Sequence, residues 1–349
     1  MLERPKLADE HIVTQLRDSY DLSAHSLEFL PIGNDARAWS FRVEAAPGRY
    51  FLKLRRGPVN RAALLVPHFL KNRGIENVVA PIRATSGQLH APMMGIAEHE
   101  DFALMLYPYI DGESDWRMTL TAAQWRAWGR IMRSIHDAGI PRQLADEVPH
   151  EVFALKWLEK IERVEAVLTR GVYEGAVAET VAQIWRDHAD VIDRCRRRYL
   201  DLGAQLEHCS PELVLCHADI HPANIIIDRA GAIHIVDWDE SLLAPKERDL
   251  MFFIDDGRSA DTTDAFRAGY GDYSVDPLAF AYYKYDWVIQ EFGDYGERVF
   301  LSADLSDEDG ALAQREFARL FSPDDVIDRA HRAYAKLHSS RAETDAETG

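Results

Sequence analysis

Asp219, Asn224 and Asp237 are the residues whose types and spacing can do chemistry in this chain. They lie in LVLCHADIHPANIIIDRAGAIHIVDWD, residues 213–239. An apolar run from Leu213 to Cys216 delivers His217, Ala218 and Asp219 at its end, and Asn224 follows five residues later. Ile225 to Ile227 read as one strand and Ile233 to Val236 as a second, with Asp228 to Gly231 as the turn, so the pattern predicts a β-hairpin. Folding it back brings Asp237 beside Asp219 and Asn224. Phosphoryl transfer from a nucleotide needs this set. One carboxylate accepts the proton of an attacking hydroxyl, while an amide oxygen and a second carboxylate hold magnesium against the phosphates.

His217-x-Asp219-x-x-x-x-Asn224, with a strand-terminal Asp237 eighteen residues after Asp219, is the order of the kinase catalytic loop and metal-binding aspartate. Asp219 is therefore the candidate base, and Asn224 and Asp237 are the candidate metal ligands. Zinc on His217 and His221 fits less well, because Ala218 stands where an H-E-x-x-H helix has glutamate and Pro222 opposes a helix. No G-x-S-x-G occurs, which argues against a serine nucleophile. His217 is expected to brace the loop, and His221 to be exposed and able to touch phosphate.

Other elements must present the nucleotide to these groups. Strands at Leu27–Ile32, Trp39–Val43 and Tyr50–Leu54, joined tightly, predict a twisted antiparallel sheet. Gly33, Asn34 and Asp35 fall at a tip where backbone N–H groups can approach phosphates. Lys53 alternates with Leu52 and Leu54, so it shares a face with Phe51. It is the candidate lysine for the α- and β-phosphates. Residues 60–73 predict a helix with Asn60 as N-cap, Pro67 inside and Gly74 as stop. That helix contains no acid to pair with Lys53. Either another group holds the lysine, or Glu76 just beyond the helix reaches back. Further strands are expected at Val78–Ile82 and Phe102–Tyr107. The main chain from Tyr107 through Pro108 to Ile110 is the candidate base-binding connection, offering the Pro108 carbonyl and the Ile110 N–H.

From residue 114 the pattern is helical. Thr121 caps a helix with an apolar stripe of Trp125, Trp128, Ile131, Met132 and Ile135. Helices are expected over 151–169, 178–201, 246–254, 262–270, 277–301, 310–321 and 323–338. His221, Asp239, Glu240, Asp286 and Glu291 are the candidates for the acceptor side. The polar tail from Ser339 is expected to be disordered.

The composition, 47% hydrophobic and 28% charged, is that of a globular protein. Three cysteines make no disulfide framework, and neither a signal peptide nor a membrane span is expected, which suits the cytoplasm. A net charge of −18 argues against nucleic acid as partner and suits a cationic small molecule if the acids gather at a cleft.

LCHADIHPANIII…IHIVDWDE, together with Ser134-Ile135-His136 closing a helix, resembles the aminoglycoside phosphotransferase family, small-molecule relatives of protein kinases. DWDESLLAPKERDLMF and AGYGDYSVDPLAFAYYKYDWVIQEFGDYGERV are most similar to its spectinomycin-phosphorylating branch. The resemblance implies a two-lobed α+β protein-kinase-like fold. A small antiparallel-sheet lobe would span 1–110, a mainly helical lobe 111–338, and the tail 339–349. It further implies ATP or GTP with Mg²⁺, a hydroxyl acceptor on an aminocyclitol or related antibiotic, and a monomer or weak homodimer. Asp249 would anchor the catalytic loop. A kinase of the same fold acting on a metabolic alcohol, or a non-catalytic nucleotide-binding protein, are the readings left beside it.

Overall fold

A computed structural model describes residues 4–33, 37–94, 101–153, 157–254, 259–302 and 305–348, with the backbone alone over 340–348. In chain order it contains α1 (Asp9–Tyr20), β1 (Ala24–Leu30), β2 (Ala38–Ala45), β3 (Gly48–Arg56), α2 (Arg61–Asn72), β4 (Ala91–Met94), β5 (Asp101–Pro108) and β6 (Gly112–Glu113). Next come α3 (Ala122–His136), α4 (Arg142–Ala145), α5 (Leu158–Arg170), α6 (Ala176–Asp187), α7 (Ala189–Cys209) and β7 (Val214–Cys216). A 3₁₀ turn at Pro222–Asn224 leads into β8 (Ile225–Asp228), β9 (Ile233–Ile235) and β10 (Leu242–Ala244). The chain closes with α8 (Glu247–Leu250), α9 (Ala260–Tyr270), α10 (Pro277–Phe300), α11 (Asp307–Arg319) and α12 (Val326–Thr348).

These elements divide into two compact units. The first holds the chain to Pro149, Leu215–Leu243 and Asp264–Gly271; the second holds His150–Val214, Ala244–Thr263 and the chain from Asp272. The unit that carries the sheet thus extends past residue 110. The hairpin of β8 and β9 joins it through β6, which pairs Glu113 with Ile227.

In the first unit, β1-β2-β3-β5-β4 form an antiparallel sheet. Pairing Phe41 with Leu52 and Leu52 with Leu106 turns alternate apolar residues to one face. There they pack with Ile12 and Leu16 of α1 in a continuous core. The other face carries Phe51 opposite Tyr107 and Lys53 opposite Met105. Leu64 of α2 covers Met105 on that side. The same two-residue period that seals one face therefore presents the lysine on the other. Asn60 caps α2 by accepting the Ala62 N–H at 3.1 Å, and Thr121 with Gln124 forms a capping box on α3, whose predicted apolar stripe is buried.

Several boundaries differ from expectation for local reasons. Val78–Ile82 is not a strand: Pro81 lacks an N–H, and Val78 makes only a single parallel bridge to Ile235. β4 instead takes the sheet edge, where Pro92 is tolerated. The helix expected over 178–201 breaks at His188 into α6 and α7. The tail expected to be disordered from Ser339 continues α12 to Thr348; Ala and Glu are good helix formers, and no Gly or Pro interrupts them.

In the second unit α10 is the central helix, with Tyr282, Tyr283, Tyr285 and Phe292 buried along it. Gly296 lets it approach α5, since a Cβ there would lie 2.7 Å from Val164. No described helix is long and apolar enough to cross a membrane.

Gly129 and Gly269 let α3 and α9 cross at backbone contact in the first unit. A Cβ on Gly269 would stand 1.9 Å from the Arg126 carbonyl oxygen, and one on Gly129 2.3 Å from that of Phe266. Neither neighbour is a side chain that can swing away. Gly269→Ala is expected to destabilise the fold by about 1–3 kcal/mol, as overpacking does. Chemical denaturation reads this directly, and an unchanged midpoint would mean that α3 and α9 do not cross this closely.

Candidate active site

The hairpin forms as expected, with Ile225 paired to Ile235 and Ile227 to Ile233. Its open end carries the three oxygen-bearing side chains. The Asn224 Nδ2 donates to the Asp219 carbonyl at 2.8 Å and to the Asp219 carboxylate at 2.9 Å. With its nitrogen committed to Asp219, the amide has its oxygen left to offer a cation. The Val236 N–H donates to the Asn224 carbonyl at 3.1 Å, so the residue before Asp237 is tied to the same turn.

His217 is fully buried and braces this arrangement. The Asp219 N–H donates to its Nδ1 at 3.3 Å, which leaves the ring proton on Nε2 to donate to the Val236 carbonyl at 2.9 Å. One imidazole thus bridges the chain before Asp219 to the chain before Asp237. Both Ala218 (φ 69°) and Asp237 (φ 62°) adopt the left-handed conformation, uncommon away from glycine.

Lys53 resolves the question of its partner. Its Nζ lies 2.7 Å from the Asp239 carboxylate and 4.0 Å from Asp237. Burial works to lower the lysine's pKa, but Asp239 and then Asp237 outweigh it, so the net shift is upward and the ammonium persists. Glu76 does not reach back: it pairs with Lys71. Asp239, a candidate for the acceptor side, is the lysine's counter-ion.

Desolvation raises the Asp237 carboxyl above its usual range; Lys53 opposes the rise, and Asp239 and Asp219 add to it. The side chain keeps 52% of its surface exposed. Hard oxygen donors crowded with like charge suit a divalent cation of the magnesium type. Asn224 and Asp237 fit as its holders.

His221 is less exposed than expected, at 12%, because the ring of Trp116 stacks on it at 3.8 Å. Its Nε2 is 3.4 Å from the Asp219 carboxylate. Trp116, itself 58% exposed, thus lies one ring away from the candidate base. Sequence reasoning missed it, since nothing in Ser114–Met118 marks one tryptophan out. Glu240 is exposed. Gly33 has φ 99°, in the left-handed region, while Asn34 and Asp35 lie outside the described residues. Pro108 ends β5 opposite Tyr50, the Tyr109 N–H donates to the Arg49 carbonyl at 3.3 Å, and Ile110 follows in the connection. Burial, then the negative field of Asp239 and Asp237, drives the Tyr107 phenol pKa upward. A cavity of about 400 Å³ opens at the hairpin's opposite end, among Glu76, Gln124, Arg130 and Gly231, and none of these candidates lines it.

The remaining acceptor-side candidates lie in the second unit. Asp286 is 7% exposed; it accepts the Tyr199 hydroxyl at 2.9 Å and faces the Arg248 guanidinium at 3.5 Å. Glu291 accepts the Trp287 indole N–H at 2.8 Å, and burial pushes its carboxyl upward. Asp249 is fully buried there.

The fold is that of a kinase-like α+β protein, with a hairpin that carries the candidate site residues. Residues 26–287 match the APH phosphotransferase enzyme family, and the chain belongs to that family. A solved structure of spectinomycin phosphotransferase with ADP and spectinomycin superposes with TM-score 0.80, at 23% identity over 95% of this chain and 99% of that one. Amicoumacin kinase with AMP-PNP and Ca²⁺ gives 0.58, at 16% identity over 91% and 96%. The macrolide 2′-phosphotransferase of Brachybacterium faecium gives 0.54, at 17% over 90% and 98%. No curated protein sequence matches significantly.

Two substitutions probe the supports. His217→Leu strands the Val236 carbonyl and the Asp219 N–H, at about 1–3 kcal/mol for each buried group left unpaired. A denaturation midpoint unmoved by this change would remove the brace. Asp286→Ala leaves Arg248 buried beside a lost counter-ion and is expected to cost about 3–5 kcal/mol. A stable variant with only a raised acceptor KM would make Asp286 a binding residue instead.

Proposed function

We propose that this phosphotransferase moves the γ-phosphoryl group of ATP or GTP to a hydroxyl of a small, cationic acceptor of the aminocyclitol type, spectinomycin among them. The observation that carries the reading is the Asp219–Asn224–Asp237 cluster with Lys53 beside it. The Asp219 carboxylate accepts the hydroxyl proton as the acceptor oxygen bonds to Pγ; the bond from Pγ to the β-bridging oxygen breaks, and the nucleoside diphosphate leaves. Lys53 Nζ holds the α- and β-phosphates, and the chain from Tyr107 to Ile110 takes the base. Mg²⁺ held by Asn224 and Asp237 would neutralise charge on the phosphates.

Support for the acceptor comes from the chain's net charge of −18 and from its similarity to an enzyme solved with spectinomycin. The acids draw an amine-bearing acceptor, and phosphorylating a drug of this kind would make the protein a resistance enzyme.

The test is a product-resolved mass measurement with Mg·ATP over a panel of aminocyclitols, aminoglycosides and metabolic amino alcohols. One phosphate gained by an aminocyclitol, with matching ADP release, is the expected outcome. Phosphate on a choline- or homoserine-type alcohol alone would make this a metabolic kinase. Nucleotide binding without ADP release from any acceptor would end the catalytic reading. Asp219→Ala is expected to lower turnover about 10²–10⁴-fold while leaving nucleotide binding in place; unchanged turnover would strip Asp219 of its role.

A further inference from the structure

Helix α2 offers no acid to Lys53, yet it is joined to the lysine by another route. Asn60, its N-cap, uses both ends of its amide. The Oδ1 accepts the Ala62 N–H at 3.1 Å, and the Nδ2 donates to the Asp239 carbonyl at 2.8 Å. The carboxylate of that same Asp239 holds Lys53 at 2.7 Å. Beyond the helix's other end, Asn77 also ties to the hairpin: its Nδ2 donates to the Ile233 carbonyl at 2.7 Å, and its main-chain carbonyl accepts the Ile235 N–H at 2.8 Å. The two asparagines grip the segment that contains Asp237 from either side.

From this we infer that Asn60 is a positioning residue that couples α2 to the phosphate-binding lysine through Asp239, the task a helix glutamate would otherwise perform. The inference rests on the phosphotransferase reading. An amide suits the position because it supplies a donor and an acceptor at once. A residue that merely caps needs only the acceptor. Aspartate and serine are as good as asparagine in that duty, so as a cap alone the position would tolerate either.

Asn60→Ser and Asn60→Asp separate the two roles. Both keep the acceptor for α2; serine is too short to reach the Asp239 carbonyl and brings no charge, and aspartate sets an acceptor against an acceptor. Each variant is compared with the wild-type chain for melting temperature, for Kd of Mg·ADP, and for kcat and both KM values in ADP release. The expected result is a melting temperature close to wild type and an unchanged acceptor KM. The nucleotide Kd and KM should rise about 5- to 10-fold, the size of one lost hydrogen bond. Wild-type nucleotide affinity in Asn60→Ser overturns the inference and leaves Asn60 a cap. A wild-type chain that binds no Mg·ADP would bring down the phosphotransferase reading itself, and the inference with it. Binding in the wild type with no change in the variants rejects the inference alone.

Discussion

Crowding of like charge is the constraint on which the site depends. Asp219, Asp237 and Asp239 gather around one hairpin end, and Lys53 is the ammonium set against them. Three carboxylates and one lysine leave two negative charges in excess. Unit charges about 4 Å apart interact by about 1 kcal/mol in water and about 4 kcal/mol near a protein surface, so such a cluster is costly unless a cation enters it. Desolvation raises the Asp237 carboxyl first; Lys53 opposes the rise, and the negative fields of Asp239 and Asp219 add to it. A protein built for stability alone would not assemble this arrangement. One that must hold a divalent cation against polyphosphate has reason to, because the excess disappears when the cation binds.

Holding the carboxylates there takes a stiff frame. Left-handed backbone at Ala218 and Asp237 costs about 1–2 kcal/mol at each residue. His217 restrains both, since its two ring nitrogens bind the main chain next to each. The hairpin ladder and the loop at Asn77–Val79 fix β9 from its two edges, with the Val79 N–H on the Ile235 carbonyl at 3.0 Å. Apolar strands supply the rigidity, and the polar residues sit where the ladder ends and the backbone can turn.

Much of this was legible in the sequence, because it depends on spacing within a few residues. The hairpin, the placing of Asp219 and Asn224 at one end of it, the caps at Asn60 and Thr121, and the face shared by Phe51 and Lys53 all follow from local periodicity or turn chemistry. The partner of Lys53 was not legible. Asp239 lies 186 residues away, and its neighbour Glu240 offers the same charge, so only the folded register of strand against sheet selects between them. The stacking of Trp116 on His221 and the crossing of α3 over α9 at Gly129 and Gly269 were hidden for the same reason. Each is a contact between distant segments whose residues carry no pattern of their own.

The acid missing from α2 then has a physical explanation. A glutamate reaching Lys53 from the helix would be a further carboxylate beside one ammonium already shared between Asp237 and Asp239. It would deepen the negative excess at the hairpin end and, on the proposed reading, compete with the phosphates for the lysine. Asp239 avoids this by serving from the hairpin itself, two residues beyond the candidate metal ligand, so that lysine and ligand are set by one backbone. The helix is free to be apolar where it meets the sheet, with Leu64 packed on Met105. An uncharged amide at its N-terminus completes the link without adding charge.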